Sequence, residues 1–313
     1  MILGRTANGL YWMHRYIERA ENMARLIDAG MRMALTRTAG SPDEWSSVVL
    51  SAGAKDTYTA AHESYTAEKV VHFLLCDPTN ASSVTSSITA ARQNARMVRT
   101  ALTREAWEAV NMAWMSMTRA LANPIPDNEL PQVLDLIKRE TALIRGAFHG
   151  TMLRNEIFNF SNLGTYVERA DNTARILDVK YYVLLPSISY VGSAMDTSQW
   201  ESILRSVSAH RSYRWEYEAE YKPANIADYL ILNDRMPRSL AFCYHNLAVN
   251  LGYLDHDYAM STPAYALASE TKAMLRGNTV AKIIDSGLHE FLFEFINQNN
   301  RLGMAISEAY NFD

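Results

Sequence analysis

The chain has 313 residues, 48% of them apolar and only 20% charged, with a formal net charge of -4. That length can bury one large core or two ordinary ones, and the charge gives no general argument for a nucleic-acid or anionic-membrane partner. Cys76 and Cys243 stand alone without zinc spacing, which suits a reducing compartment. The N-terminal MILGRTANGLYWMHRY lacks a charged segment followed by an unbroken apolar run, so no signal peptide is expected. The most apolar later stretch, 181–195, is interrupted by Pro186 and Gly192 and falls short of the roughly 20 residues of a membrane span. A soluble cytoplasmic protein is expected.

The periodicity predicts helix almost throughout. The first helix runs over about 6–38 and ends at Ala39-Gly40-Ser41-Pro42, a breaker cluster. A short helix from 43 or 44 carries Trp45, Val48 and Val49, and another covers 57–75. The turn Cys76-Asp77-Pro78-Thr79-Asn80 offers Asp77 or Asn80 as a cap. Helices then cover 82–102 and 103–122, the second with a face of Trp107, Met112, Trp114 and Met115 that reads as core filling. After a polar connection, Pro131 opens a helix towards His149, and a long helix from Thr151 carries Arg154 and ends at Pro186. The last stretch divides at Gly277-Asn278 into 262–276 and 280–310. Strand signals are nearly absent; 181–185 has strand propensity but continues a helical period. The fold class is all-α.

One stretch is repeated. Tyr16 to Asp28, YIERAENMARLID, returns as Tyr166 to Asp178, YVERADNTARILD, with eight of thirteen positions identical. On a helix, Glu18, Glu21, Asn22 and Arg25 share one stripe, and Glu168, Asp171, Asn172 and Arg175 repeat it. Further matches keep the same order: 45–54 with 200–209, and 73–84 with 229–240. The pattern reads as a tandem duplication, with helical repeats at 1–150 and 151–313. Two similar bundles, or one bundle with pseudo-twofold related halves, would both accommodate it. Ala91-Arg92-Gln93-Asn94-Ala95-Arg96 is a partial third echo whose asparagine is displaced by one position.

A solvated face needs only to be polar; it does not need the same acid, amide and base at the same steps. Glu18 with Arg25 or Arg169, and Glu168 with Arg175 or Arg19, suit a buried ion network. The same side chains suit a ligand site, with Arg19, Arg25, Arg154, Arg169 and Arg175 gathered on a carboxylate or phosphate and Glu21 and Asp171 orienting them. In that reading Glu18 orients Arg19 and Arg25 towards the ligand. Glu18 or Glu168 becomes a general base if a cleft raises its pKa. Carboxylate-bridged metal bundles use Glu-x-x-His, which does not occur here, so no metal is expected. With no Gly-rich phosphate loop and no G-x-S-x-G elbow, an ATP-driven activity has no visible seat and no cofactor is expected. Arg92, Arg96 and Arg99 on one helix form either a solvated face or a surface for an anionic partner.

The chain resembles the alpha-E family, formerly a family of unknown function. The resemblance is carried by 3–28, by 151–182 (TMLRNEIFNFSNLGTYVERADNTARILDVKYY), by 200–208, by Pro237-Arg238-Ser239 and by Gly287-Leu288-His289-Glu290-Phe291-Leu292. Asn155 stands where the family pattern has Asp, and Ile157-Phe158 where it has Gly-Trp, which weakens any role for this turn as an essential acid. The resemblance implies a helical domain that works with a circularly permuted ATP-grasp protein and a transglutaminase-like protease, in a system that makes or trims peptide or amide linkages. The expected function is therefore a non-catalytic partner or substrate-binding subunit of an ATP-grasp ligase. The alternatives are an enzyme acting on a peptide or amino-acid amide, and a structural scaffold.

Overall fold

A computed structural model describes residues 2–34, 44–182, 193–218 and 221–312. The described residues are all-helical: fifteen α-helices and one 3-10 turn. The first seven are α1 (Gly4–Ala34), α2 (Glu44–Ser51), α3 (Lys55–Ala61), α4 (Ala67–Leu75), α5 (Val84–Met97), α6 (Arg104–Ala120) and α7 (Leu130–Thr151). They are followed by α8 (Glu156–Tyr182), α9 (Ala194–Ser206), α10 (His210–Glu216), α11 (Pro223–Ile231) and α12 (Leu240–Tyr258). The last are α13 (Pro263–Arg276), α14 (Val280–Asp285) and α15 (Leu288–Ala309).

α1 and α8 lie at the centre, packed along each other. Long helices normally keep one polar face for water. α1 is instead buried nearly all round, from Leu10 and Ile17 to Glu18, Glu21 and Arg25. Small residues make this approach possible. A Cβ on Gly164 of α8 would stand 2.1 Å from the backbone oxygen of Tyr11, and one on Gly9 of α1 would stand 2.5 Å from Val98 Cγ1.

The same packing plan appears twice. α5 and α7 flank α1, and α6 packs on both; α12 and α15 flank α8, and α13 packs on both. The short helices cross over, with α2 and α9 each touching both central helices. Ser83 and Ser239, matched positions of the repeated sequence, both cap the helix that follows by accepting from the backbone amides of Ser86 and Phe242. Apolar residues of both halves join one core that extends from Ala7 to Tyr310.

Several boundaries differ from the sequence reading. The helix expected over 57–75 is two, because Thr66 caps α4 through the Lys69 amide. Ser83, not Asp77 or Asn80, caps α5: Asp77 accepts from Thr79 at 2.8 Å and Asn80 from Ser82 at 3.0 Å within the turn. The helix expected over 280–310 is broken by Gly287, whose φ of +94° suits only glycine. Met112 and Met115 are not core filling; they are 57% and 44% exposed, while Trp107 and Trp114 are partly buried beneath Arg99 and Arg92. Arg96 is exposed, so the partial third echo forms no third inward stripe. The breakers at 39–42 and the stop at Pro186 lie outside the described residues.

The close crossing at Gly164 gives a direct test. Gly164→Ala must push Tyr11 backbone away, and overpacking of this kind costs about 1–3 kcal/mol. Gly146→Ala, exposed within α7 with nothing in contact range, should instead stabilise by about 1 kcal/mol. Urea unfolding of the two variants measures both effects.

Candidate functional site

The repeated stripes face each other where α1 crosses α8, and their Glu-Arg pairs exchange partners. Arg19 gives Nε to Glu168 Oε1 at 2.6 Å and Nη2 to Oε2 at 3.0 Å. Arg169 gives Nε to Glu18 Oε1 at 2.9 Å and Nη2 to Oε2 at 3.0 Å. The two forks use the same atoms in the same order. Of the pairings open from sequence, each glutamate thus takes the arginine of the other helix, while Arg25 and Arg175 bind the second acid of their own stripe. Arg25 donates to Glu21 at 2.8 and 2.6 Å, and Arg175 to Asp171 at 2.6 Å.

Around this shared frame the two stripes differ. Glu18 also accepts from Arg238 at 2.9 Å and Arg145 at 3.4 Å. Glu21 accepts from Arg238 at 2.5 Å, from Thr141 at 2.9 Å and from Arg145. Two carboxylates thus hold four guanidinium groups, those of Arg25, Arg145, Arg169 and Arg238, which leaves a surplus of two positive charges. Glu168 takes a third donor from Arg15 at 2.8 Å. Asp171 keeps only Arg175.

The protonation states follow from this wiring. Burial alone would raise Glu18, but Arg169, Arg238 and Arg145 outweigh it and bring it down to about 2. Burial opposes Arg19 and Arg15 at Glu168 in the same way, and the result is again about 2. Glu21 is held well below the usual range against its own burial, chiefly by Arg238 and Arg25. Burial and the neighbouring Arg25 lower Arg238 to about 10, which leaves it charged at neutral pH. A general base working at neutral pH needs a raised carboxylate. Neither Glu18 nor Glu168 meets that requirement, and each of their oxygens already accepts from arginine. His14, one turn before Glu18, is kept neutral: burial and the neighbouring His149 lower it to about 3. Among the described residues no group of three His, Cys, Asp or Glu side chains is placed to hold a metal ion.

Two expected site residues take other roles. Arg154 lies in the connection before α8 rather than on it. It is exposed, donates to the carbonyls of Met152 and His149 at 2.8 and 2.7 Å, and rests over the Phe158 ring. The open carbonyls at the end of α7 attract it, so it does not join the stripes. Arg25 does not face outward to a ligand, because its remaining donor goes to Ser206 O at 2.7 Å and Ser208 Oγ at 2.9 Å. In return, Arg15, Arg145 and Arg238 enter the network although the repeat gives no sign of them. Arg15 corresponds to Thr165 and Arg238 to Ser82. Arg238 does lie within the Pro237-Arg238-Ser239 segment of the resemblance.

A helical chain organised on two Glu-Arg pairs agrees with a family model, Alpha-E, described as a predicted alpha-helical domain with a conserved ER motif, which matches residues 2–310. The chain belongs to the Alpha-E family. Similar proteins include uncharacterised proteins of Mycobacterium bovis and of two strains of Mycobacterium tuberculosis. Each is 24% identical over 277 residues, covering 83% of this chain and 31% of the relative. The Alpha-E chain therefore spans about a third of the length of the curated relatives it matches. No solved structure matches it significantly.

The charge surplus ranks two substitutions at the first stripe. Glu18→Gln removes one of two buried anions facing four cations, three of them buried, and should cost about 3–5 kcal/mol. Arg238→Met lowers the surplus and should cost clearly less, within about 1 kcal/mol of neutral. Urea unfolding at neutral pH compares them, and a larger loss in Arg238→Met would contradict the count. Acid supplies a second test. Because Glu18 and Glu168 are lowered in the fold from the ordinary 4.5 to about 2, their contribution is complete above pH 4.5 and is lost as pH falls towards 2. Each lowered carboxylate accounts for about 3 kcal/mol over that window. Glu168→Gln should therefore flatten the fall in unfolding free energy between pH 5 and pH 2.

Proposed function

We propose that this Alpha-E domain is a non-catalytic partner or substrate-binding subunit of a cytoplasmic ATP-grasp peptide or amide ligase. The observation that carries the reading is the state of its two Glu-Arg pairs. Both glutamates are ionised, buried and fully engaged by arginine, an arrangement suited to holding charge in place rather than to accepting a substrate proton. The sequence adds no phosphate loop of its own, so ATP chemistry is left to another protein. The family resemblance supplies the partners: a circularly permuted ATP-grasp protein and a transglutaminase-like protease. In the mycobacterial relatives the matching stretch is about a third of a longer chain, which supports a domain that works beside others. The reading as an enzyme with a glutamate base lacks its base. The scaffold reading retains the burial of the network in its favour.

The test is reconstitution. The chain is purified together with a circularly permuted ATP-grasp protein encoded alongside it, and ATP-dependent amide formation is measured with and without the chain. A stable complex and a faster ligation are expected. Absence of both binding and rate change overturns the proposal.

A further inference from the structure

The two stripes share a frame, so a place where only one is completed is informative. In the first stripe every edge of Arg25 is used: Nε and Nη2 on Glu21, Nη1 on Ser206 O and Ser208 Oγ. In the second, Arg175 gives only Nε, to Asp171 Oδ2. The turn beside it is the matching one: Ser51–Gly53 after α2 corresponds to Ser206–Ser208 after α9. Its backbone matches too, with φ of +67° at Gly53 and +57° at Ser208. What is missing is the hydroxyl. A Cβ on Gly53 would lie 2.9 Å from Arg175 Nη1, yet glycine places nothing there. Arg175 therefore presents both terminal nitrogens with no acceptor among the described residues, on a side chain 27% exposed.

Water alone would account for an open arginine edge. The residues that frame it also carry buried polar atoms without a partner. Asp171 Oδ1, on the acid bonded to Arg175, is buried without a partner, and so is the hydroxyl of Ser51, in the turn that Arg175 touches. Ser51 is 3% exposed. Asp171 is one methylene shorter than Glu21 and has no equivalent of Arg238, whose matched position is Ser82.

We propose that the second stripe is a binding site for an α-carboxylate carrying an adjacent N–H, the C-terminal end of a peptide or a free amino acid, held on the open fork of Arg175 beside Gly53. A carboxylate supplies the two coplanar oxygens that a guanidinium fork accepts. The N–H next to it supplies the donor that Asp171 Oδ1 lacks. A phosphate dianion would bring two negative charges up against Asp171, where a carboxylate brings one. The first stripe is the closed copy, with Ser208 in place of the ligand. The inference rests on the substrate-binding half of the function proposed above.

The test uses the full chain alone, so a failed ligase reconstitution leaves it standing and its own failure leaves the ligase association open. Calorimetric titration is carried out with N-acetylglycine, glycine and inorganic phosphate. Saturable binding of N-acetylglycine identifies a peptide end and of glycine a free amino acid, and phosphate should bind at least roughly tenfold more weakly. Gly53→Ser supplies the missing hydroxyl in a backbone conformation that Ser208 already adopts, and Arg175→Lys keeps the charge but removes the fork. Each should weaken binding by roughly tenfold or more, while Ser208→Ala leaves it unchanged. If Gly53→Ser does not fold, Arg175→Lys decides. No saturable binding of either glycine compound, phosphate bound as tightly, or unchanged affinity in Arg175→Lys overturns the proposal.

Discussion

The structure depends on bringing two charged helices close enough to exchange arginines. A glutamate and an arginine at adjacent positions of one helix point in different directions and do not form a good fork. Placed across a tight crossing with a second such pair, each acid meets the other's base. Gly164 sets that separation, because any side chain there would strike the Tyr11 backbone. The consequence is a polar seam along the axis of the molecule, where a helical protein would ordinarily place leucine and valine.

Such a seam is weak evidence for stability. Removing charges from water is expensive, and good pairing only offsets that cost. Its contribution is better sought in specificity. Two long helices with small, similar apolar residues would slide over one another with little penalty. Fork geometry at Glu18–Arg169 and Glu168–Arg19 permits one register. Helices α2 and α9, each packed on both central helices, fix the crossing from the sides.

The seam is not symmetric in what surrounds it. The first stripe has drawn in Arg145, Arg238 and Thr141 from α7 and the turn before α12, so that Glu21 is enclosed. The second relies on a shorter acid and a glycine turn. Around the first stripe the acids and Arg25 are fully engaged, while in the second Asp171 Oδ1 and the terminal nitrogens of Arg175 have no partner among the described residues. That contrast separates the roles of chemically similar residues, since Arg25 and Arg175 hold the same place in their helices and have different work to do.

From sequence alone the helical class was legible, because period and breakers act locally, and so was the inward turn of both stripes, because a repeated acid, amide and base on one helix face has little use in solvent. The crossed pairing was legible only as one of two options. Along the stripe Glu18 shares a face with Arg25 two turns on, and the choice of Arg169 instead waits on how near α8 lies. Arg145 and Arg238 were beyond reach of the repeat, since each comes from a helix or turn whose position over the stripe is set by packing. Arg154 shows the reverse case: adjacent to the second stripe in sequence, it is taken by the carbonyls ending α7. Met112 and Met115 carry the same lesson on the surface, where a helical apolar pattern does not say whether another element covers it. Periodicity and repetition are short-range and survive in one dimension. Which arginine completes which acid, and which is left open, depends on distances between helices, and those exist only in the folded chain.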